Sequence, residues 1–258
     1  MRIDVYLVEN GFCESRSRAA RLISEGKVVL DGKSVTKASL DVSGDGHSVL
    51  ITEEERYVGR GGLKLEGALS RFAIDVAGKK CIDVGASTGG FTDCLLQSGA
   101  AHVCAVDSGR GQLHKKLLED ERVTSLEGFN ARELDPESFG HFDLAVMDVS
   151  FISQTLIHRP LSNVLHQGAI FISLIKPQFE AGKSALGKGG IVKKPSDRYA
   201  AILRVIESAS QCGFSLEGIM RSPIDGGDGN REYLAVFKRI DGVAKLGDTS
   251  FLKTLCKD

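Results

Sequence analysis

Apolar residues follow two different patterns along the chain, and the change falls near residue 60. In the first part, apolar residues at helical spacing predict short helices around Ile3–Leu7 and Ala19–Ile23. Val28–Val35 is then predicted to form a hairpin that turns at Asp31-Gly32, and Ser48–Thr52 a further short strand. We therefore expect a small α+β unit at the start of the chain.

Beyond the run Gly59-Arg60-Gly61-Gly62, apolar strands alternate with amphipathic helices. The predicted strands are Lys80–Val84, His102–Val106, Val123–Leu126, Phe142–Val149, Ala169–Ile175, Ser215–Met220 and Tyr233–Lys238. The predicted helices are Gly89–Ser98, Gln112–Glu119, Gln154–His166 and Ser196–Cys212. Near-continuous apolar strands are typical of sheets that are buried on both faces, which predicts an α/β, Rossmann-like fold with a mostly parallel seven-stranded sheet. The last two strands are joined by a short segment and should pair antiparallel.

These elements predict two domains in a protein without a membrane segment. We expect a small domain at 1–57, a linker at 58–62, an α/β domain at 63–240 and a tail at 241–258. The length of 258 residues and the hydrophobic content of 42% fit this division. Asp4 and Glu9 interrupt the N-terminal apolar residues and no apolar run reaches membrane-spanning length, so a cytoplasmic protein is the simplest expectation.

Charge and cysteine usage narrow the possible chemistry. The six cysteines contain no C-x-x-C pair, so neither a disulfide nor a bound metal is expected. The formal net charge of −1 argues against a protein that coats nucleic acid non-specifically. Basic residues are nevertheless concentrated in one stretch of the first unit: Arg16, Arg18, Arg21, Lys27 and Lys33. They can form either a solvated helix face or a surface for a negatively charged partner.

The glycine-rich segment from Asp83 to Gly90 leaves the first strand of the predicted sheet and enters a helix. Doubly wound folds bind ligands at such turns, because glycine permits close approach and the helix offers free N–H groups. A P-loop would need a lysine where this chain has Phe91, so hydrolysis of a nucleoside triphosphate is improbable. A dinucleotide fingerprint lacks its second glycine here and is disfavoured.

A third alternative for this turn is a serine hydrolase. Gly85-Ala86-Ser87-Thr88-Gly89 satisfies the G-x-S-x-G pattern of a nucleophile elbow, and Asp148 and His166 follow in the order that a catalytic triad requires. Against it, the sequence has no HGGG-like oxyanion loop, and His166 lies close to Gly168 at a predicted helix end. The hydrolase is the weaker alternative at this point.

S-adenosylmethionine fits the turn best. Asp83 ends the strand beside the glycines and is suited to hold the amino-acid part of that cofactor. Asp107 ends the next strand, where a carboxylate can accept both ribose hydroxyls. Asp107 could also simply cap a turn before Gly109. We predict a methyltransferase.

Four charged residues are candidates for the chemistry: Lys64, Asp148, Lys176 and Glu232. Asp148 and Lys176 follow apolar strands, and Glu232 precedes the last one. Each could also be an ordinary surface charge or helix cap. A lysine acts as a base only when burial or a neighbouring cation lowers its pKa from about 10.4. Lys64 is a candidate for that cation, and a lysine base suits removal of a proton from a ribose hydroxyl.

With these residues the sequence resembles the FtsJ-like ribose 2′-O-methyltransferases, whose lysine-aspartate-lysine-glutamate tetrad matches the same four positions. The likeness extends to Asp83–Thr92, to Met147–Ser153 and to Ile175–Glu180. Together with Arg60–Leu65 and Gly229–Tyr233, these segments resemble the TlyA family in particular, whose members have also been called haemolysins. The resemblance covers all but Ile240–Asp258.

The resemblance implies an S4-like RNA-binding domain at 1–57 and S-adenosylmethionine as cofactor. It implies methylation of ribosomal RNA, alone or in a ribosomal subunit, on a cytidine 2′-hydroxyl. It gives cofactor contacts to these residues: Asp83, Gly85, Ala86, Ser87, Thr88, Gly89, Gly90, Phe91, Thr92, Asp107, Asn130 and Asp148. The basic residues Arg16, Arg18, Arg21, Lys27 and Lys33 would contact RNA phosphates. An S4-type RNA-binding protein with a vestigial methyltransferase fold is the open alternative.

Overall fold

The computed structural model describes residues 1–44, 46–52, 56–227 and 229–257. The chain falls into two units, Met1–Arg56 and Tyr57–Asp258. Each unit buries its own set of apolar side chains.

The first unit forms the elements that its apolar pattern predicts. It contains α1 (Ile3–Glu9), α2 (Arg16–Ser24), β1 (Val28–Leu30), β2 (Lys33–Val35) and β3 (Val49–Ile51). The Ser15 side chain accepts a hydrogen bond from the Arg18 N–H and begins α2 as an N-cap. The three strands pair antiparallel in the order β2-β1-β3, and the buried faces of both helices pack on them.

The second unit is a seven-stranded sheet with helices between most of its strands. Its helices are α3 (Gly61–Arg71), α4 (Gly90–Gln97), α5 (Lys115–Leu118), α6 (Pro136–Phe139), α7 (His158–Asn163), α8 (Pro177–Glu180), α9 (Pro195–Gln211) and α10 (Phe251–Leu255). Its strands are β4 (Lys80–Val84), β5 (His102–Asp107), β6 (Val123–Glu127), β7 (Phe142–Met147), β8 (Leu165–Ile175), β9 (Phe214–Arg221) and β10 (Tyr233–Arg239). The strand order is β6-β5-β4-β7-β8-β10-β9, parallel from β6 to β8, with β10 antiparallel to both of its neighbours. The predicted Rossmann-like fold and its antiparallel last pair are confirmed.

Strand β7 shows why the central strands are apolar throughout. Leu144 and Val146 belong to the core on one face of the sheet, and Ala145 and Met147 belong to the core on the other. All four side chains are fully buried. A strand that is covered on both faces has no position that favours a polar residue until it ends.

Two predicted helices are shorter than their sequence pattern suggested. The prediction of one helix over Gln154–His166 is wrong, because β8 already begins at Leu165, which pairs with Phe142. The predicted helix Gln112–Glu119 is reduced to α5. The Glu127 carboxylate accepts hydrogen bonds from the N–H groups of residues 111, 112 and 113, and the extended His114 donates its N–H to the Thr88 carbonyl oxygen, so the helix begins only after His114. Contacts from distant residues override local helical spacing in both places.

The segment that we expected as a tail contributes to the core of the second unit. Helix α10 buries Leu252, and Cys256 just after it is also buried. The Arg198 guanidinium donates a hydrogen bond of 2.7 Å to the Cys256 carbonyl oxygen. This C-terminal segment is therefore anchored by both apolar and polar contacts.

Three further features of the chain concern its cysteines, the length of its helices and its possible metal ligands. All six cysteines are buried free thiols. Among the described residues, no helix is long and apolar enough to cross a membrane. The same residues hold no cluster of three or more side chains suited to bind a metal ion.

We expect Leu252→Ala to lower the free energy of unfolding by about 2 to 5 kcal/mol, the usual cost of emptying a buried leucine site. Its neighbour Phe251 is 48% exposed, so Phe251→Ala is a matched control with a smaller expected cost. Chemical denaturation of both variants measures the difference. Equal losses would mean that α10 does not belong to the core.

Candidate active site

A crevice opens at the point where the strand order reverses. Strand β4 has β5 and β6 on one side and β7 and β8 on the other, so the connections diverge at the carboxyl ends of β4 and β7. A cavity of about 440 Å³ lies there. Its walls include Gly85 and Ser87 after β4, Asp107 at the end of β5, and Asp148 after β7. A second cavity of about 180 Å³ shares Gly85, Ser87 and Asp148 and adds Lys176.

The glycine-rich turn is held close to the segment that follows β7. The N–H of Asp148 donates to the Val84 carbonyl oxygen at 2.9 Å, which extends the β4–β7 pairing to the end of both strands. Gly85 has φ of +85°, and a Cβ at this position would lie 2.5 Å from the Asp148 carbonyl oxygen. Only glycine fits there.

Asp107 fastens the turn from the neighbouring strand. Its carboxylate accepts one hydrogen bond from the Ser87 N–H at 2.8 Å and another from the Gly109 N–H at 2.7 Å. Asp107 therefore caps the turn before Gly109 and also lines the cavity, and its contact with a ribose stays a prediction. Each carboxylate oxygen keeps a further acceptor site for a ligand hydroxyl.

Asn130 lies in the same wall and caps a short 3₁₀ helix. Its side-chain oxygen accepts from the Arg132 N–H at 3.2 Å, and its amide group donates to Glu133 at 3.2 Å. Among the other residues predicted to hold the cofactor, Ala86, Thr88, Gly90 and Phe91 line the smaller cavity. Asp83, Gly89 and Thr92 are buried beneath the turn and line neither cavity.

Asp83 is a fully buried carboxylate below the turn. One of its oxygens accepts the Thr92 hydroxyl at 2.7 Å, and the other has no hydrogen-bond partner among the described residues. Burial raises the pKa of Asp83 to about 7. An unpartnered carboxylate oxygen is costly in an interior and suits a site that receives a donor from a ligand.

The four predicted catalytic residues form two ion pairs. Lys64 of α3 and Glu232 before β10 are both buried, and the Lys64 Nζ donates to the Glu232 carboxylate at 2.5 Å. The Lys176 Nζ lies 2.6 Å from an Asp148 carboxylate oxygen. Glu232 therefore balances the positive charge of Lys64. The charged group in contact with Lys176 is the Asp148 carboxylate and not a cation. In each pair, the lysine and the carboxylate belong to separate segments of the chain.

One contact of Lys176 was not predicted from the sequence. Its Nζ also donates to the Ser150 hydroxyl at 2.7 Å. Ser150 lines both cavities. The signal that could have revealed it is its place two residues after Asp148, in the loop that leaves the crevice end of β7.

The serine hydrolase alternative fails on geometry. His166 lies near the start of β8, ten residues before Lys176, where it stacks on His141. At about 3.3 Å per residue, and allowing for the extra residues at the register shift in β8, the strand places it more than roughly 20 Å from the crevice end of the sheet. Ser87, His166 and Asp148 therefore cannot form a triad. The Ser87 backbone, with φ of +49°, shapes the turn instead.

The basic residues of the first unit are held by acidic neighbours. Arg16 pairs with the buried Asp4 at 3.1 Å, and Lys27 pairs with Glu25 at 2.7 Å. The other two helix arginines pair within α2 or its flanks, Arg18 with Glu14 at 3.3 Å and Arg21 with Glu25 at 3.9 Å. Lys33 is exposed on β2.

Sequence reasoning missed Arg2 in this unit. Its guanidinium contacts Asp4 at 2.9 Å, so one carboxylate that is 5% exposed holds Arg2 and Arg16 together. The side chains of both arginines remain at least half exposed, at 50% and 61%. The spacing of Arg2 and Asp4 at the start of α1 could have indicated the pair.

Comparison with known proteins agrees with this fold. The FtsJ-like methyltransferase family matches residues 57–239, and the S4 domain family matches residues 1–47. The 16S/23S rRNA (cytidine-2′-O)-methyltransferase TlyA of Mycobacterium tuberculosis is 46% identical over 90% of this chain and 87% of its own length. Hemolysin A of Brachyspira hyodysenteriae is 42% identical over 92% of this chain and 99% of its own length. A solved structure from Streptococcus thermophilus, provisionally described as a hemolysin, is 41% identical with a TM-score of 0.80, covering 99% of this chain and 94% of that one.

The doubly wound sheet, its crevice at the switch point and these matches define an S-adenosylmethionine-dependent methyltransferase. The class that the glycine-rich turn predicted is confirmed. The chain belongs to the TlyA family of FtsJ-like methyltransferases, which also carry an S4 domain.

We expect the pKa of Asp83 to make stability depend on pH. Because the folded state binds this proton more tightly than the unfolded chain, ionisation of Asp83 destabilises the fold as the pH rises from about 4 to about 7. Over that window the free energy of unfolding of the parent protein should fall relative to that of Asp83→Asn by up to about 4 kcal/mol. Urea denaturation of both proteins at several pH values measures this. If the free energies of unfolding of the two proteins changed with pH in parallel, the pKa of about 7 for Asp83 would be contradicted.

Proposed function

We propose that this protein transfers a methyl group to the 2′-hydroxyl of a ribose in ribosomal RNA, on a cytidine. The observation that carries the proposal is the Lys176–Asp148 pair, 2.6 Å apart in the wall of a crevice that the glycine-rich turn also lines. The match to an enzyme named for rRNA cytidine 2′-O-methylation supports the substrate. We further propose that the protein works in the cytoplasm, where its substrate is made.

S-adenosylmethionine fits the larger cavity by the chemistry of its lining. Asp107 would accept the ribose hydroxyls, Asn130 would contact the adenine, and the turn from Gly85 to Gly90 would hold the methionine part. The unpartnered Asp83 oxygen below the turn would receive a hydrogen bond, directly or through water. The bound cofactor supplies an electrophilic methyl group on a sulfonium.

The chain's own residues supply alignment and proton transfer. Lys176 is the proposed base that takes the proton of the ribose hydroxyl, and Asp148 stabilises the ammonium that results. Lys64 and Glu232 form a second, buried pair whose rigidity helps fix the position of the ribose. With both lysines matched by a carboxylate, the site avoids an unpaired buried charge.

An exposed aromatic side chain at the rim suits an RNA base. Phe151 is 92% exposed and lines the larger cavity. Its φ of +65° is unusual for a bulky residue, and such backbone outliers cluster at functional sites. We propose that it stacks on a base near the target ribose, since bases that are removed from a helix stack readily on aromatic rings.

The first unit is the proposed RNA-binding domain, at 1–57, and the catalytic domain is proposed to span 63–240. Arg2 and Arg16, which the buried Asp4 holds together, present two guanidinium groups to solvent at fixed spacing. Fixed guanidinium groups bind phosphates well because less conformational entropy is lost. The further proposed phosphate contacts are Arg18, Arg21, Lys27 and Lys33.

We expect Lys176→Ala to abolish methyl transfer and to leave cofactor binding within a few-fold, because the base is lost while the turn is kept. Transfer of tritium from labelled S-adenosylmethionine to ribosomal RNA measures the first effect, and calorimetric titration measures the second. Lys253→Ala, on α10, is the control and should keep full activity. Turnover by Lys176→Ala would refute the mechanism, and lack of transfer by the parent protein would favour the vestigial alternative.

We expect the double substitution Arg18→Glu and Arg21→Glu to weaken RNA binding and to reduce its salt dependence by roughly one unit of slope per lost phosphate contact. Filter binding of ribosomal RNA at several salt concentrations measures both. Arg71→Glu, at the end of α3, is the matched charge reversal outside the first unit. Unchanged binding and methylation by the double variant would remove the RNA-binding role from α2.

A further inference from the structure

We propose that Ser150 is a positioning residue, whose hydroxyl orients the Lys176 Nζ toward the ribose. The inference rests on the proposed function, in which Lys176 is the base. It starts from three facts: Ser150 contacts the Lys176 Nζ at 2.7 Å, it is exposed, and it lines both cavities of the crevice.

The geometry of a lysine nitrogen explains why this hydrogen bond matters. The Nζ atom is tetrahedral, with one bond to carbon and three directions left. Its hydrogen bond to the Ser150 hydroxyl, at 2.7 Å, fixes one of these directions. Asp148 lies 2.6 Å away as the ionic partner, but that carboxylate oxygen accepts no directed hydrogen bond among the described residues. Without Ser150, the Nζ could rotate beside Asp148 and turn its remaining directions away from the ribose.

The step balances once the methyl donor of the proposed function is included. The O–H bond of the ribose 2′-hydroxyl would break and its proton would pass to Lys176 in its neutral form. The oxygen would bond to the methyl carbon as the bond from that carbon to the donor's sulfur breaks, with the electron pair of that bond staying on sulfur. The new ammonium would donate to Ser150 and stay paired with Asp148. Hydrogen bonds from a charged donor are stronger than those between neutral groups, so the Ser150 acceptor stabilises the charge that develops.

The loop that carries Ser150 is fixed by a buried carboxylate. Glu180 is 3% exposed, and its oxygens accept from the Ser153 hydroxyl at 2.6 Å and from the Gln154 N–H at 3.0 Å. Glu180 ends α8, the helix that begins directly after Lys176. The carboxylate therefore joins the segment that carries Ser150 to the segment that carries Lys176. Such an anchor keeps the contact between the two side chains in one geometry.

The test compares Ser150→Ala with Ser150→Thr, which keeps the hydroxyl. Because Ser150 is exposed, its truncation should not disturb folding, and thermal denaturation verifies this. Single-turnover methylation of ribosomal RNA should slow by about 10-fold or more in Ser150→Ala, in line with the loss of one charged hydrogen bond. Cofactor affinity and the KM for RNA should stay within two-fold, and Ser150→Thr should recover most of the rate. Ser138→Ala, an exposed serine on α6, is the control.

The outcomes separate this inference from the proposed function. If Lys176→Ala is inactive while Ser150→Ala keeps a rate within two-fold of the parent, Ser150 has no positioning role and the function stands. If alanine and threonine slow the reaction equally, the shape of the site matters and the hydroxyl does not, which also overturns the inference. If Lys176→Ala still transfers methyl groups, Lys176 is not the base and this inference fails with that mechanism. If the parent protein transfers no methyl group to ribosomal RNA, the proposed function itself fails.

Discussion

The contact between the turn after β4 and the start of the segment after β7 is the constraint on which the site depends. The Asp148 N–H donates to the Val84 carbonyl oxygen, so the two strands stay paired until both leave the sheet. Gly85 then passes so close to the Asp148 carbonyl oxygen that a single methyl group would have to lie 2.5 Å from it. As a result, the turn that lines the cofactor cavity and the carboxylate that pairs with Lys176 share one rigid junction. A displacement of either would displace the other.

The charges of the site are arranged to avoid the cost of burial. Moving an ion from water into a protein interior is expensive unless a partner of opposite charge and further hydrogen bonds replace the water. Lys64 and Glu232 meet this condition with each other, and Lys176 meets it with Asp148 and Ser150. Asp83 does not, since one of its oxygens lacks a partner among the described residues and burial raises its pKa to about 7. The Asp83 oxygen lies beside the glycine-rich turn, where a donor from a ligand would offset this cost.

Much of the fold and of the candidate site could be predicted from the sequence, because the pattern of apolar residues indicates where each strand ends. Apolar runs locate the strands, parallel strands end at the same edge of the sheet, and the polar residues that follow them must converge there. Asp107, Asp148 and Lys176 were found in this way, and the structure places them around one crevice. The pairing among the charged residues could not be predicted, because it depends on which strands are neighbours. Ser150 was missed because its place two residues after Asp148 indicates only that it lies near the crevice, whereas its contact with Lys176 depends on which strands are neighbours.

The errors in the predicted helices also come from contacts between residues that are distant in the sequence. The stretch from Gln112 to Glu119 has helical spacing, but the Glu127 carboxylate binds the N–H groups of residues 111, 112 and 113, and the His114 N–H donates to the Thr88 carbonyl oxygen. The helix therefore begins only after His114. That loop adjoins Gly109, which Asp107 also binds. Two acidic side chains at the ends of β5 and β6 thus hold the backbone that forms one wall of the cavity. Contacts at the crevice end of the sheet therefore shape this backbone, and local sequence preference is overridden beside the cavity.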